Sequence, residues 1–230
     1  MKIAFVGDSF CADLGSHSRY PLWTDLLLKE FNASAIQMGI SGDCLFHSYS
    51  TLLEHIDEAD YIICCVTAPE RLPNHHNIPM NSGFADDTVP FVKDTSISKD
   101  VYDAARNYYK YLINLDFHEM AQRGILIQMD RLLLAKKKKC IWFPCFYHSI
   151  TDYKITSGPS GTTPLYYYAE QNDEDIPDSN HFSKEQNENM FRLLKDIIDN
   201  DAFDPRSIDT NTLLIPGQIR IHYEIGANNG

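Results

Sequence analysis

Short, largely apolar segments constrain the fold of this chain more than any other feature of its 230 residues. Four such segments occur, at residues 2–6, 33–38, 61–66 and 140–146. Segments of this length and composition are typical of strands in a parallel sheet that is covered on both faces. Residues 20–31 carry apolar side chains at spacings of three and four, which predicts an amphipathic helix, and residues 49–56 are also predicted to be helical. The alternation of strand and helix predicts an α/β fold with a doubly wound sheet.

Three further helices are predicted, over residues 100–115, 117–134 and 183–198. The last has the clearest start, because Ser183 followed by Gln186 forms a capping box ahead of an apolar stripe. A fifth strand is predicted within residues 121–129, although the apolar run that follows Gly124 is also compatible with a helix.

The pattern predicts one domain over residues 1–200, followed by a C-terminal extension over residues 201–230. Polar stretches with several Pro and Gly residues predict insertions into this domain at about 67–100 and 147–177. Within the extension, the apolar alternation over residues 219–223 predicts an edge strand or an oligomer contact.

Charge and composition exclude several classes of partner. With 20 Lys and Arg against 32 Asp and Glu, the net charge of −12 repels phosphate backbones, so we expect no nucleic-acid partner. The Lys136–Lys139 run fits the solvated carbonyl end of a helix better than a nucleic-acid patch. No run of about 18 apolar residues is present, so we expect no membrane span. The N-terminal segment lacks signal-peptide features and the six cysteines have apolar neighbours, which predicts a cytoplasmic protein with reduced thiols.

Two short motifs carry candidate chemistry. Gly7-Asp8-Ser9 follows the first strand, and ligands of open α/β sheets bind beyond the carboxyl ends of the strands. A serine at that point can expose its hydroxyl while neighbouring backbone N–H groups face the ligand. In the second motif, the spacing of Asp178 and His181 before the last helix can place a carboxylate beside an imidazole. Taken alone, such motifs are more often an ordinary turn and a solvated loop histidine.

Taken together, the motifs resemble the conserved blocks of the SGNH (GDSL-type) hydrolase family, in order and in spacing. Phe5–Phe10 is similar to the first block, Met38–Asp43 to the second and Asp178–His181 to the last. The resemblance covers about residues 1–66 and 136–198. It implies a flavodoxin-like three-layer α/β/α fold of SGNH-hydrolase type, with a parallel sheet of five strands.

The resemblance also implies site residues. Ser9 would be the nucleophile, His181 the general base and Asp178 the residue that orients His181. The backbone N–H groups of Ser9 and Gly42 would form the oxyanion hole.

At the third block, this chain departs from the family's usual pattern. The family usually has Gly-x-Asn-Asp after the third strand, and the asparagine side chain is a further oxyanion donor. This chain instead runs from Thr67 through Pro69 to Arg71, with no asparagine at that point. Arg71, Thr67 and Asn74 are therefore the candidates for an oxyanion or substrate contact. For Arg71 the alternative is an ion pair with Glu70 or a loop acid.

These features predict a serine esterase that hydrolyses an ester of a small acyl group, such as an O-acetyl group on a carbohydrate. Two alternatives stay open: an acyltransferase on the same fold, and a non-catalytic binding or structural protein that kept the scaffold. We expect no cofactor. We also expect no metal site, because His75-His76 has no nearby Asp, Glu or Cys to complete a ligand pattern.

Overall fold

The computed structural model describes residues 1–13, 18, 20–73, 80, 98–146, 153–169 and 182–213. The strands are β1 (Lys2–Gly7), β2 (Ser34–Gln37), β3 (Tyr61–Val66), β4 (Lys139–Pro144), β5 (Ser160–Gly161) and β6 (Ser207–Ile208). The helices are α1 (Trp23–Glu30), α2 (Leu45–His55), α3 (Lys99–Tyr111), α4 (Leu115–Ala135), α5 (Leu165–Ala169) and α6 (Lys184–Asp199).

All six strands form one parallel sheet in the order β2-β1-β3-β4-β5-β6. The first five strands follow the order 2-1-3-4-5, which is that of flavodoxin-like folds. The predicted fold class is therefore confirmed, with a sixth strand added at one edge.

Alternation along the strands separates two cores, one on each face of the sheet. Ile3 and Phe5 pack with α1 and α6, on what we call the α1/α6 face. Ala4 and Val6 pack with α2 and α4, on the α2/α4 face. Because successive side chains of a strand point to opposite faces, central strands that are apolar throughout need a helical layer on each side. The result is a three-layer α/β/α sandwich.

The position predicted for the fifth strand is wrong. Residues 121–129 belong to α4, where Leu126, Met129 and Leu133 are buried at helical spacing. The fifth strand is instead Ser160–Gly161, inside the predicted insertion at 147–177, and two residues are too few to show a period.

The first part of the predicted C-terminal extension contributes to the sheet. Ser207 and Ile208 form β6 and pair with β5. The predicted strand or contact over 219–223 lies outside the described residues, and the predicted domain limits stay a prediction. All six cysteines are buried free thiols. None of the described helices combines the length and the apolar character needed to cross a bilayer.

Candidate active site

The turn that carries Ser9 begins at Gly7, which lies opposite Cys65 of β3. Gly7 ends β1 with φ +151°, and a Cβ at this position would lie 2.2 Å from the carbonyl oxygen of Cys65. Only glycine fits there. The chain then enters a single 3₁₀ turn, Ser9–Cys11, in which Asp8 Oδ1 accepts the N–H of Phe10 at 3.2 Å. This turn holds Ser9, which is 7% exposed, at the carboxyl edge of the sheet.

The segment after β2 packs against the Ser9 turn. Gly39 donates its N–H to the carbonyl of Cys11 at 3.1 Å, and Ile40 donates to the carbonyl of Gly7 at 3.0 Å. Gly42 follows with φ +79°, a conformation that favours glycine. The structure thus brings the segment of the predicted second oxyanion donor to the edge of the sheet where Ser9 lies.

Thr67 occupies the position directly after β3, at the same edge. In the β1–β3 register Gly7 lies opposite Cys65, so Thr67 follows β3 as Ser9 follows β1. Its carbonyl accepts a hydrogen bond from the Gln122 side chain at 2.9 Å. The side chain is fully buried, and its Oγ1 has no hydrogen-bond partner among the described residues. A buried hydroxyl without a partner is costly, and at the edge of a candidate site it marks a group available to a ligand.

Arg71, in the segment after β3, contacts both the Ser9 turn and the segment after β2. Its Nη1 lies 3.3 Å from Asp8 Oδ2 and 3.4 Å from the carbonyl oxygen of Asp43, and its guanidinium lies 4.5 Å from the centre of the Phe146 ring. The side chain is 9% exposed and that of Asp8 is fully buried. Of the two roles predicted for Arg71, the structure therefore shows an ion pair, with Asp8 rather than Glu70. The same contacts hold the guanidinium against Asp8 and Asp43, the neighbours of Ser9 and Gly42 in sequence.

Asp178, His181 and Asn74 lie outside the described residues. The residue after His181 is described, and it lies against the Ser9 turn. The ring of Phe182 packs edge-on against that of Phe10 with their centres 5.3 Å apart, and both side chains are fully buried. The carbonyl of Phe182 accepts the Tyr20 hydroxyl at 2.6 Å. Two residues that follow predicted triad members in sequence are thus in contact.

Asp43, the residue after Gly42, forms an acid–base pair with His47. The sequence analysis did not single out His47 as a site residue. His47 Nδ1 lies 3.0 Å from Asp43 Oδ1. Burial raises the pKa of the Asp43 carboxyl above its ordinary value, and the Cys44 N–H and His47 offset part of that rise. In the described part of the chain, Asp43, Cys44 and His47 form the one group of donor atoms close enough together to hold a metal ion. The Asp-x-x-x-His spacing at the start of a helix was the available signal, since residues four apart are neighbours there.

Comparisons with known proteins do not identify a family for this chain. No family model and no curated protein matches this chain. A crystal structure of an acetyl xylan esterase is similar over 93% of this chain and 80% of the other, with a TM-score of 0.36 and 14% sequence identity. A likeness of this extent carries no information about the activity or substrate of this chain.

Proposed function

We propose that this protein is a serine esterase of the SGNH type, which hydrolyses an ester of a small acyl group by a Ser9–His181–Asp178 triad. The observation that carries the proposal is the Phe10–Phe182 contact. It joins the segment that contains the candidate nucleophile to the segment that contains the candidate base. The two residues are 172 positions apart in sequence, and their packing in the core of the α1/α6 face brings the two segments together.

The reaction follows the two-step course of acyl transfer. Ser9 Oγ attacks the ester carbonyl while His181 takes its proton, and Asp178 stabilises the imidazolium that forms. His181 then gives the proton to the leaving alcohol, and water attacks the acyl-enzyme by the same route in reverse. The N–H groups of Ser9 and Gly42 hold the oxyanion, and the Thr67 hydroxyl is our candidate for the donor that the missing asparagine would supply.

Ser9→Ala tests the nucleophile. We expect it to abolish labelling by a fluorophosphonate probe and to lower the hydrolysis of a small aryl ester by at least about 10³-fold. The matched control is Ser50→Ala, because Ser50 lies on α2 and its hydroxyl bonds only the carbonyl of Phe46 among the described residues. Equal labelling of Ser9→Ala and the control would refute the proposal.

His181→Ala and the Ser9→Ala, His181→Ala double variant test whether the two residues act together. Because triad members act as a unit, the double variant should be scarcely slower than either single variant. Turnover only with an added alcohol acceptor would identify an acyltransferase. Ligand binding with no turnover in any assay would identify a non-catalytic protein.

A further inference from the structure

A pocket of about 260 Å³ lies between α2, α4 and the segment after β3. Its walls are mostly apolar, from Leu45, Phe46, Leu72, Pro73, Phe117 and Ile125. Two of the aromatic side chains are unusually open for their size, with Phe46 49% and Phe117 56% exposed. Exposed aromatic side chains around a concave apolar surface are typical of ligand-binding sites.

Two polar side chains in the walls, Gln122 and His118, make hydrogen bonds with residues outside the pocket lining. Gln122 donates to the carbonyl of Thr67 at 2.9 Å. His118 Nε2 lies 2.7 Å from the Tyr108 hydroxyl, and burial lowers the pKa of its imidazole, which favours the neutral ring. The pocket therefore offers an occupant mainly apolar contact.

Arg71 connects this pocket to the candidate active site. It lines the pocket, and its Nη1 also reaches Asp8, the residue before Ser9, and the carbonyl of Asp43, the residue after Gly42. The Arg71 side chain therefore extends from the pocket to the residues that adjoin the two proposed oxyanion donors in sequence.

The position of the pocket indicates which half of an ester it would receive. In the proposed mechanism the leaving alcohol takes its proton from His181, so the alcohol must lie on the side of the base. His181 immediately precedes Phe182, which is buried in the core of the α1/α6 face. The pocket lies instead between α2 and α4, the helices of the opposite face. The acyl half is then the part that extends toward the pocket.

We infer that this pocket binds the acyl group of the substrate, and that the preferred acyl group is apolar and larger than acetyl. The inference rests on the proposed esterase function. An apolar cavity of about 150 Å³ holds a benzene molecule. A pocket of about 260 Å³ therefore suits a butyryl to benzoyl group.

Ala121→Trp tests the inference by filling the pocket. Ala121 lines the pocket and is exposed on α4, so a larger side chain there leaves the core intact. The matched control is Ala135→Trp, at the exposed far end of the same helix. We expect Ala121→Trp to lower the ratio of kcat/KM for an aryl butyrate to kcat/KM for the aryl acetate at least tenfold. The control should leave this ratio unchanged.

A binding measurement separates failure of the pocket from failure of the proposed function. In a Ser9→Ala background, benzamide binding is followed by NMR titration, and Ala121→Trp should weaken it at least tenfold relative to Ala135→Trp. Equal ratios and equal benzamide binding in the two tryptophan variants would overturn the inference. Benzamide binding that depends on Ala121, together with no hydrolysis of any ester by the native protein, would refute the esterase and its acyl site and leave a binding pocket for apolar ligands.

Discussion

Asp130, on α4, has a fully buried carboxylate that accepts several hydrogen bonds. It accepts hydrogen bonds from the Tyr153 hydroxyl, from the Thr156 N–H and hydroxyl, and from the Ser157 N–H, at 2.6–3.1 Å. Burial by itself raises the pKa of Asp130, but these bonds outweigh it and leave the pKa below the ordinary value. One side chain thus fixes the loop that leads into β5.

Asp130→Asn should lower the free energy of unfolding at pH 7 by about 2–3 kcal/mol, since bonds to a charged acceptor are lost or weakened. A lowered folded-state pKa means that ionisation stabilises the fold above the unfolded pKa of about 3.9. The difference from the native protein should therefore shrink as the pH falls through the folded-state pKa. Urea unfolding between pH 7 and pH 2 measures it, with the exposed Asp204→Asn as control. A difference that is independent of pH would contradict this account.

Thr67 is the opposite case, a buried hydroxyl with no partner among the described residues. Thr67→Val removes the hydroxyl at nearly constant shape, so we expect stability to rise by about 1 kcal/mol. If Thr67 is the third oxyanion donor, kcat/KM should fall by about 10²-fold in the same variant. Thermal unfolding and ester kinetics measure the two effects.

Thr24→Val is the control for this experiment. Thr24 Oγ1, on α1, is also buried without a partner in the described part of the chain. This variant should gain similar stability and keep full activity. Unchanged activity in Thr67→Val as well would exclude Thr67 as a donor.

At the scale of elements, two glycines of this chain have opposite effects on stability. Gly7 lets β1 approach β3, where any Cβ would overlap the backbone of Cys65. Gly124 lies inside α4, and a Cβ there would meet no heavy atom within 4 Å. The first glycine is required by a contact between strands, whereas the second only weakens its helix.

Gly7→Ala should therefore cost about 3 kcal/mol of unfolding free energy, because the new Cβ overlaps the Cys65 backbone and alanine disfavours the positive φ of Gly7. Gly124→Ala should instead stabilise the protein by up to about 1 kcal/mol, through the higher helix propensity of alanine. Chemical denaturation of the two variants side by side measures both changes. Similar effects of the two substitutions would show that β1 and β3 are less closely packed than the structure indicates.

At the scale of the whole molecule, a strong negative charge coexists with an apolar surface. The net charge is −12 and the pI is about 5.1. The end of α3, the connection and the first turns of α4 form what we call the α3–α4 surface. It carries exposed apolar side chains, at Tyr111, Leu112, Leu115, Phe117 and Met120. Charge repulsion opposes association through this surface at neutral pH, and that protection disappears where the net charge approaches zero.

We expect light scattering to rise as the pH approaches 5.1, and to rise less in a Leu112→Gln, Met120→Gln double variant. These substitutions leave the charge unchanged. The control is Leu53→Gln with Leu134→Gln, which removes two other exposed leucines, on α2 and α4. Equal scattering of the two double variants would show that the α3–α4 surface has no special part in association.

The sequence by itself determined the elements whose signal is local. The central strands β1, β3 and β4 are apolar runs, and each was predicted within a few residues. Helices α1, α2, α3, α4 and α6 were likewise predicted within a few residues. The place of Ser9 after β1 followed in the same way, because a strand ending in Gly-Asp-Ser needs no distant information. The approach of the Ser9 turn to the segment before α6 was predicted only through a family resemblance.

Only the tertiary structure decided what depends on residues far apart in the chain. Strands β5 and β6 are two residues long and exist because their neighbours pair with them. Around Gly124 the sequence was compatible with a strand or a helix, and it is helical in α4, where its apolar stripe packs on the sheet. Arg71 could be assigned to Asp8 only when two segments 63 residues apart were brought together. A local sequence pattern predicts which side of a segment is buried. Ion pairs and edge strands depend instead on which distant segment of the chain packs beside it.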